Sequence, residues 1–225
     1  MIPVYVGFDP REEIGYHVFC SSVLNNTSAP VSFIPLDQRT LGGDYQRDGT
    51  NAFIYSRFLV PYLAGYSGWA LFADGCDMLC RGDVAELWAL RDLYSAVQVV
   101  KHDYKTRHPR KYLGTSMEAP NEDYPRKNWS SLMLINCAHF AWRSLTPENI
   151  KDMSGAELHR FEWMKQELVG ELPRQWNWLA DEYGENSEAK LLHWTAGIPA
   201  FPAHADAPHA REWFSILEQT KRHAC

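Results

Sequence analysis

The chain of 225 residues has no apolar run approaching the ~20 residues needed to cross a bilayer, and its opening residues show no signal-peptide pattern. The expectation is a cytoplasmic location without a transmembrane segment, peripheral membrane contact staying open. Positive charge is also in short supply. A net charge of −6 gives no basic face for neutralising a phosphate backbone, so nucleic acid is excluded as the main partner and any phosphate has to be bound locally. Cysteine is scarce and irregularly spaced: Cys20, Cys76, Cys80, Cys137 and Cys225 form no C-x-x-C pair, which excludes a structural zinc motif or a dithiol redox motif. Reduced, mostly buried thiols are expected. Internal repeats and low-complexity segments are absent as well.

What is present is apolar residues, at 45% of the chain, and aromatic residues, at 13%, including nine tryptophans. That is enough to bury a substantial core, and the length favours one domain, taken as residues 1–225. Ile2 to Phe8 reads as a strand stopped by Asp9-Pro10, and Glu13 to Leu24 has helical spacing. Val31 to Leu36 reads as a second strand, Ala52 to Leu63 as a helix, and Trp69 to Ala73 as a buried central strand ending in Asp74-Gly75-Cys76-Asp77. A short helix is expected over Val84 to Leu90, then strands at Ala96 to Val100 and Ser131 to Asn136. A long helix is expected over Thr146 to Val169 with Pro147 just inside its start, and a last one from about Ala210 to Thr220. Strands alternating with helices predict an α/β fold with a mainly parallel, Rossmann-like sheet flanked by helices. The charged, tyrosine-rich stretch from Tyr104 to Asn128 reads as a functional loop.

In an open α/β sheet ligands bind beyond the carboxyl ends of the strands, so polar residues that follow apolar runs are the first candidates. Asp9, the pair Asp74 and Asp77, the run Lys101 to Asp103, and Asn136 meet that criterion. Two neighbouring carboxylates repel one another unless a proton or a hard cation lies between them, so the acidic turn suits Mn²⁺ or Mg²⁺. Such a pair also occurs as a helix cap or a solvated loop, and spacing alone leaves both readings open.

The segment from Tyr55 to Trp88 carries Y-x-R-x-x-x-P, an apolar strand ending in the acidic turn, and G-D-V-A-E-L-W. In this order it resembles the core of GT-A glycosyltransferases of the family 8 type and related bacterial and viral nucleotide-sugar transferases. The opening I-P-V-Y-V-G-F-D, the segment from Arg126 to Asn136, L-P-R-Q-W-N at Leu172 to Asn177, and H-W-T-A-G-I-P-A-F at His193 to Phe201 resemble further motifs of that family. The resemblance implies a nucleotide-sugar donor, UDP-linked in the expectation, and a glycan or lipid-linked acceptor. It implies that Asp74, Asp77 and His193 hold the metal and that Asp9 reads the base beside Gly7, Phe8 and Arg11. Lys127, Asn128, Ser130 and Ser131 would line the donor-sugar pocket, and Gly197 would allow close backbone approach to phosphate. The chain departs from the family in two places. Two residues, Gly75 and Cys76, separate the aspartates where the family has one, and Ile198-Pro199-Ala200 stands where a diphosphate-steadying lysine is found. Lys101, Lys127 or Arg57 is expected to supply that charge. Asp83 and Glu86 read as charges at a helix N-terminus. Trp176 and Trp178 read either as an acceptor platform or as core, and Glu162, Glu167 and Asp181 as acceptor-side carboxylates, with no residue singled out as the base. A metal-dependent sugar-nucleotide hydrolase and a catalytically silent nucleotide-sugar-binding protein are the alternatives.

Overall fold

The computed structural model describes residues 1–42, 45 and 49–223, so Cys225 lies outside the described residues. In chain order the elements are β1 (Ile2–Gly7), α1 (Glu13–Asn26), β2 (Val31–Leu36), α2 (Val60–Leu63), β3 (Trp69–Ala73), β4 (Met78–Cys80), α3 (Val84–Ala89) and β5 (Val97–Val99). There follow β6 (Arg110–Lys111), β7 (Ala119–Pro120), β8 (Leu132–Asn136), α4 (Pro147–Asp152), α5 (Gly155–His159), β9 (Val169–Glu171), β10 (Trp178–Leu179), α6 (Ala180–Tyr183), β11 (Leu191–His193) and α7 (Ala210–His223).

The main sheet has six strands in the order β2-β1-β3-β8-β5-β9. Only β8 runs against the others, antiparallel to both β3 and β5. Its strands alternate between two cores, as period-2 side chains must when both faces are covered. Tyr5, Phe72, Met133 and Ile135 enter one core with Phe53, Phe58 and Trp142. Val4, Val6, Leu71, Leu132 and Leu134 enter the other with Phe19 and Trp176. Helix α1 therefore has to be apolar on two sides: Phe19 and Val23 face the sheet, while Val18 faces a third cluster with Trp194, Trp213 and Leu217. A second sheet, β10-β11-β4, sits beside the acidic turn.

Two expectations are corrected. The helix expected over Thr146 to Val169 is broken after Asp152, because Ser154 starts a new helix with a complete capping box to Glu157, and the stretch ends by entering β9. The helix expected over Ala52 to Leu63 is a turn followed by a 3₁₀ segment at Ser56–Leu59 and one turn of α-helix. The antiparallel direction of β8 also moves a candidate. Asn136 pairs with Trp69 at the start of β3 and so lies at the end of the sheet away from Asp74, whereas Leu132, at the start of β8, pairs with Ala73. That direction delivers Ser130 and Ser131, not Asn136, to the carboxyl end of β3.

The thiols of Cys20, Cys76, Cys80 and Cys137 are free, with Cys20 half-buried and the other three buried. Among the described residues no helix is long and apolar enough to cross a membrane.

Candidate metal and ligand site

The acidic turn is closed by Gly75. Its φ of 73° is open to glycine without strain, and it lets the Cys76 amide donate to the Asp74 carbonyl at 2.8 Å. A Cβ at this position would come within 2.2 Å of Val6 Cγ1, so the turn also needs glycine for space. The extra residue is taken up in this tight bend, and both carboxylates end up buried. The third member arrives from 116 residues away: β11 pairs antiparallel with β4 and sets His193 opposite Met78, next to Asp77. Asp74, Asp77 and His193 each offer a ligand atom within 4.8 Å of the others.

A run of hydrogen bonds fixes the polarity of the imidazole. Ser131 Oγ donates to the Asn128 carbonyl at 2.7 Å, so its lone pair takes the Asn177 amide Nδ2 at 2.8 Å. Asn177 Oδ1 is thereby turned toward His193 Nδ1 at 2.9 Å and accepts its proton. His193 Nε2 then faces Asp77 Oδ2 at 3.3 Å. A lone pair against a carboxylate is repulsive, so the contact requires a proton or a cation between them. Burial disfavours the imidazolium, but the neighbouring Asp77 and Asp74 carboxylates outweigh it and raise the His193 pKa. Burial pushes the Asp74 carboxyl up to about 7, with Arg57 opposing and Asp77 adding to the shift. Asp74 Oδ1 lies 2.6 Å from Arg57 Nη1 without hydrogen-bond alignment, and the buried Asp77 Oδ1 has no hydrogen-bond partner among the described residues. Two buried carboxylates, with Asp77 Oδ1 in neither a hydrogen bond nor an ion pair among the described residues, and one oriented imidazole are a donor set that fits Mn²⁺ or Mg²⁺.

This corner opens into a cavity of about 170 Å³ whose lining includes Asn51, Arg57, Lys111, Tyr124, Asn128, Ser130, Ser131 and His159. Arg57 is held in place by the Ser130 carbonyl at 3.0 Å and by the Phe53 and Phe72 rings. Ser130 Oγ bonds His159 Nδ1 at 2.7 Å, and Asn128 bonds the Tyr104 hydroxyl at 2.7 Å from a left-handed backbone with φ of 61°.

Other candidates fall elsewhere. The Asp9 carboxylate takes the Arg11 side chain at 2.6 Å and the Ala52 amide at 2.9 Å, so it ties the Thr50–Ala52 segment to the end of β1 and does not line the cavity. Gly7 packs where a Cβ would meet the Phe53 ring and the Asp74 carbonyl, and Phe8 is buried edge-on to Tyr16. Gly197, with φ of 147°, lies under the His204 ring. Lys101 stands over Trp129 and does not line this cavity, and Lys127 lines an adjoining cavity instead of this one. His102 is buried against the Tyr183 hydroxyl, and burial takes its pKa down to about 3. Trp176 is core, and Trp178 is fixed to the Gly184 carbonyl. Asp181 anchors the amide of Ala196, while Glu162 and Glu167 pair with Arg160 and Lys165. Asp83 caps α3 through the Ala85 amide.

Sequence reasoning missed Lys111 and Tyr124, which lie in the long stretch from Tyr104 to Asn128 as single residues without a motif, and His159, which closes α5 inside the stretch read as one long helix. It also missed Glu12, which is 1% exposed with both carboxylate oxygens unpartnered among the described residues. Burial, with Asp77 and Asp9 nearby, pushes its carboxyl well up.

No protein-family model matches the chain. It is 38% identical over 227 residues to the Arabidopsis thaliana protein named protein CDI, an alignment covering 96% of this chain and 86% of that one. Among solved structures it resembles galactosyltransferase LgtC in complex with donor and acceptor sugar analogues, at a TM-score of 0.60 and 17% identity, covering 97% of this chain and 96% of LgtC. The Streptococcus pneumoniae glycosyltransferase GlyE gives a TM-score of 0.61 at 12% identity, with 96% of this chain and 60% of that one covered. The bifunctional glycosyltransferase WbbM gives 0.60 at 14% identity, and this chain, 96% covered, spans about half of it, 49%. The fold is that of the GT-A glycosyltransferases.

Proposed function

The chain belongs to the family of the Arabidopsis protein CDI, and from that premise, on a GT-A fold, we propose that it is a metal-dependent glycosyltransferase using a nucleotide-sugar donor, UDP-linked, and a glycan or lipid-linked acceptor. The observation that carries this reading is the buried Asp74–Asp77–His193 corner, with its unfilled carboxylate oxygen and oriented imidazole, at the carboxyl end of β3. Residues 1–225 act as one catalytic unit, located in the cytoplasm.

Asp74, Asp77 and His193 hold Mn²⁺ or Mg²⁺, which when bound supplies Lewis-acid stabilisation of the departing diphosphate. Asn177 keeps His193 in the tautomer that points its Nε2 lone pair at the site. Arg57 offsets the charge of Asp74 and, fixed by two aromatic rings and a backbone carbonyl, cannot swing away. Thr50 and Asn51, anchored by Asp9 through Ala52, with Arg11 alongside, form the nucleotide side of the cavity. Ser130, bonded to His159 Nδ1, offers its oxygen to donor-sugar hydroxyls, and Asn128 and Ser131 complete that wall. Gly7 and Phe8 shape the end of β1, and Gly197 keeps the backbone after His193 close to the site.

The test is turnover of a panel of UDP-sugars with Mn²⁺ and a mixture of glycan acceptors. UDP release that depends on acceptor supports the transferase. Full-rate donor consumption without acceptor would instead mark a hydrolase, and donor binding without consumption a silent binding protein.

A further inference from the structure

A second cavity of about 380 Å³ adjoins the first across a shared wall of Lys111, Tyr124, Asn128 and Thr195, and adds Pro120, Asn121, Glu122 and Lys127. Two ammonium groups converge on it. Lys127, 7% exposed, donates to Asn121 Oδ1 at 2.7 Å and the Glu122 carbonyl at 2.9 Å, with the Asp123 carboxylate at 3.9 Å. Lys111, half-buried on β6, stands over the Tyr112 ring at 5.5 Å and has no hydrogen bond or ion pair of its own among the described residues. The carboxylate of Glu122, which also lines the cavity, is exposed. Burial lowers the pKa of both lysines, and the charge of Lys127 lowers that of Lys111 further against the pull of Asp77 and Asp74. An unpaired, half-desolvated ammonium facing a second one is a cost that an oxyanion removes.

We infer that this second cavity is an anion subsite, in which Lys111 and Lys127 hold a phosphate or carboxylate group carried by the acceptor. The inference rests on the glycosyltransferase reading, in which the metal corner in the first cavity takes the donor's diphosphate. The second cavity lies beyond the shared wall, and Lys127 borders it alone. The acceptor is therefore acidic at a position close to the hydroxyl that is glycosylated.

The test titrates inorganic phosphate, as the probe, into the protein saturated with Mg²⁺ and UDP. Phosphate binds, Lys111→Met and Lys127→Met each weaken it at least about tenfold, and Lys111→Arg, which keeps the charge, restores most of the affinity. Thermal melting of each variant confirms the fold. Competition between phosphate and UDP, with Lys111→Met weakening UDP, would overturn the inference by giving the anion to the donor. Absence of phosphate binding would overturn it outright. If UDP itself fails to bind, the glycosyltransferase reading falls separately: phosphate is then titrated into the metal-free protein, where binding lost in both methionine variants keeps the anion subsite and no binding ends it.

Discussion

Among the described residues, two clusters each set one histidine against two carboxylates, and they are built to opposite ends. At the start of α7, His209 Nδ1 lies 3.1 Å from Glu185 and 3.2 Å from Glu212, while its Nε2 accepts the Asn186 amide at 3.0 Å. Both ring nitrogens are satisfied, Glu185 is 72% exposed, and Glu212 is shared with Arg81 at 3.3 Å. Nothing in that arrangement calls for another ligand. The Asp74–Asp77–His193 corner uses the same chemistry but is buried, has a carboxylate oxygen without a partner, and points an imidazole nitrogen at a carboxylate. Burial and unfilled valence, not residue type, separate an electrostatic clasp from a candidate metal centre.

The sharpest way to test that distinction is substitution in both clusters. Asp77→Ala or His193→Ala lowers metal-dependent UDP affinity by about 100-fold or more in calorimetry, since each removes a ligand outright. His209→Ala leaves that affinity within about twofold and costs about 1 kcal/mol of stability in denaturant titration, as expected for a partly exposed clasp. If His209→Ala weakened UDP binding as much as His193→Ala, the two clusters would not differ in the way described.

Gly75→Ala is expected to cost about 1–3 kcal/mol by chemical denaturation, because alanine is strained at φ of 73° and its Cβ meets Val6. The equivalent change at Gly65, with φ of 63° and open space around it, carries only the backbone strain and costs less. Asn177→Leu cuts metal affinity by about 10–100-fold with little change in metal coordination number, since only the orientation of His193 is lost.

The smallest effect is on pH. Asp74, with its pKa pushed up to about 7, binds a proton below that value, and the pKa of His193 is raised against burial by the Asp77 and Asp74 carboxylates. An incoming cation has to displace the Asp74 proton, so Mn²⁺ affinity rises by up to about tenfold from pH 6 to pH 7 and flattens toward pH 8, with release of a His193 proton adding in the same direction. A metal affinity independent of pH over that range would mean both groups are already deprotonated.

How much of this was legible in the sequence depended on whether the information was local. The β1–α1 opening, β3 and the Asp83 cap of α3 follow from runs and caps contained within a few residues. The break at Ser154 was also locally encoded, by Ser154 and Glu157, but lay hidden inside a longer apolar periodicity. The direction of β8 was not local at all, and so Asn136 was placed at the wrong end of the sheet while Ser130 and Ser131 came to the right one only through the family resemblance. Pairing of β11 with β4 makes the His193–Asp77 contact, and no spacing rule reaches across 116 residues. Lys111 sits on a two-residue strand in the long loop, where a single lysine has no pattern to distinguish it.

The most direct test of the central claim is calorimetric titration of UDP into the metal-free protein with and without Mn²⁺, repeated for His193→Ala. A metal-requiring affinity that is present in the wild type and absent in the variant is the predicted result. UDP binding of equal strength with and without Mn²⁺, or unchanged in His193→Ala, would contradict the assignment of the buried Asp74–Asp77–His193 corner as the metal centre.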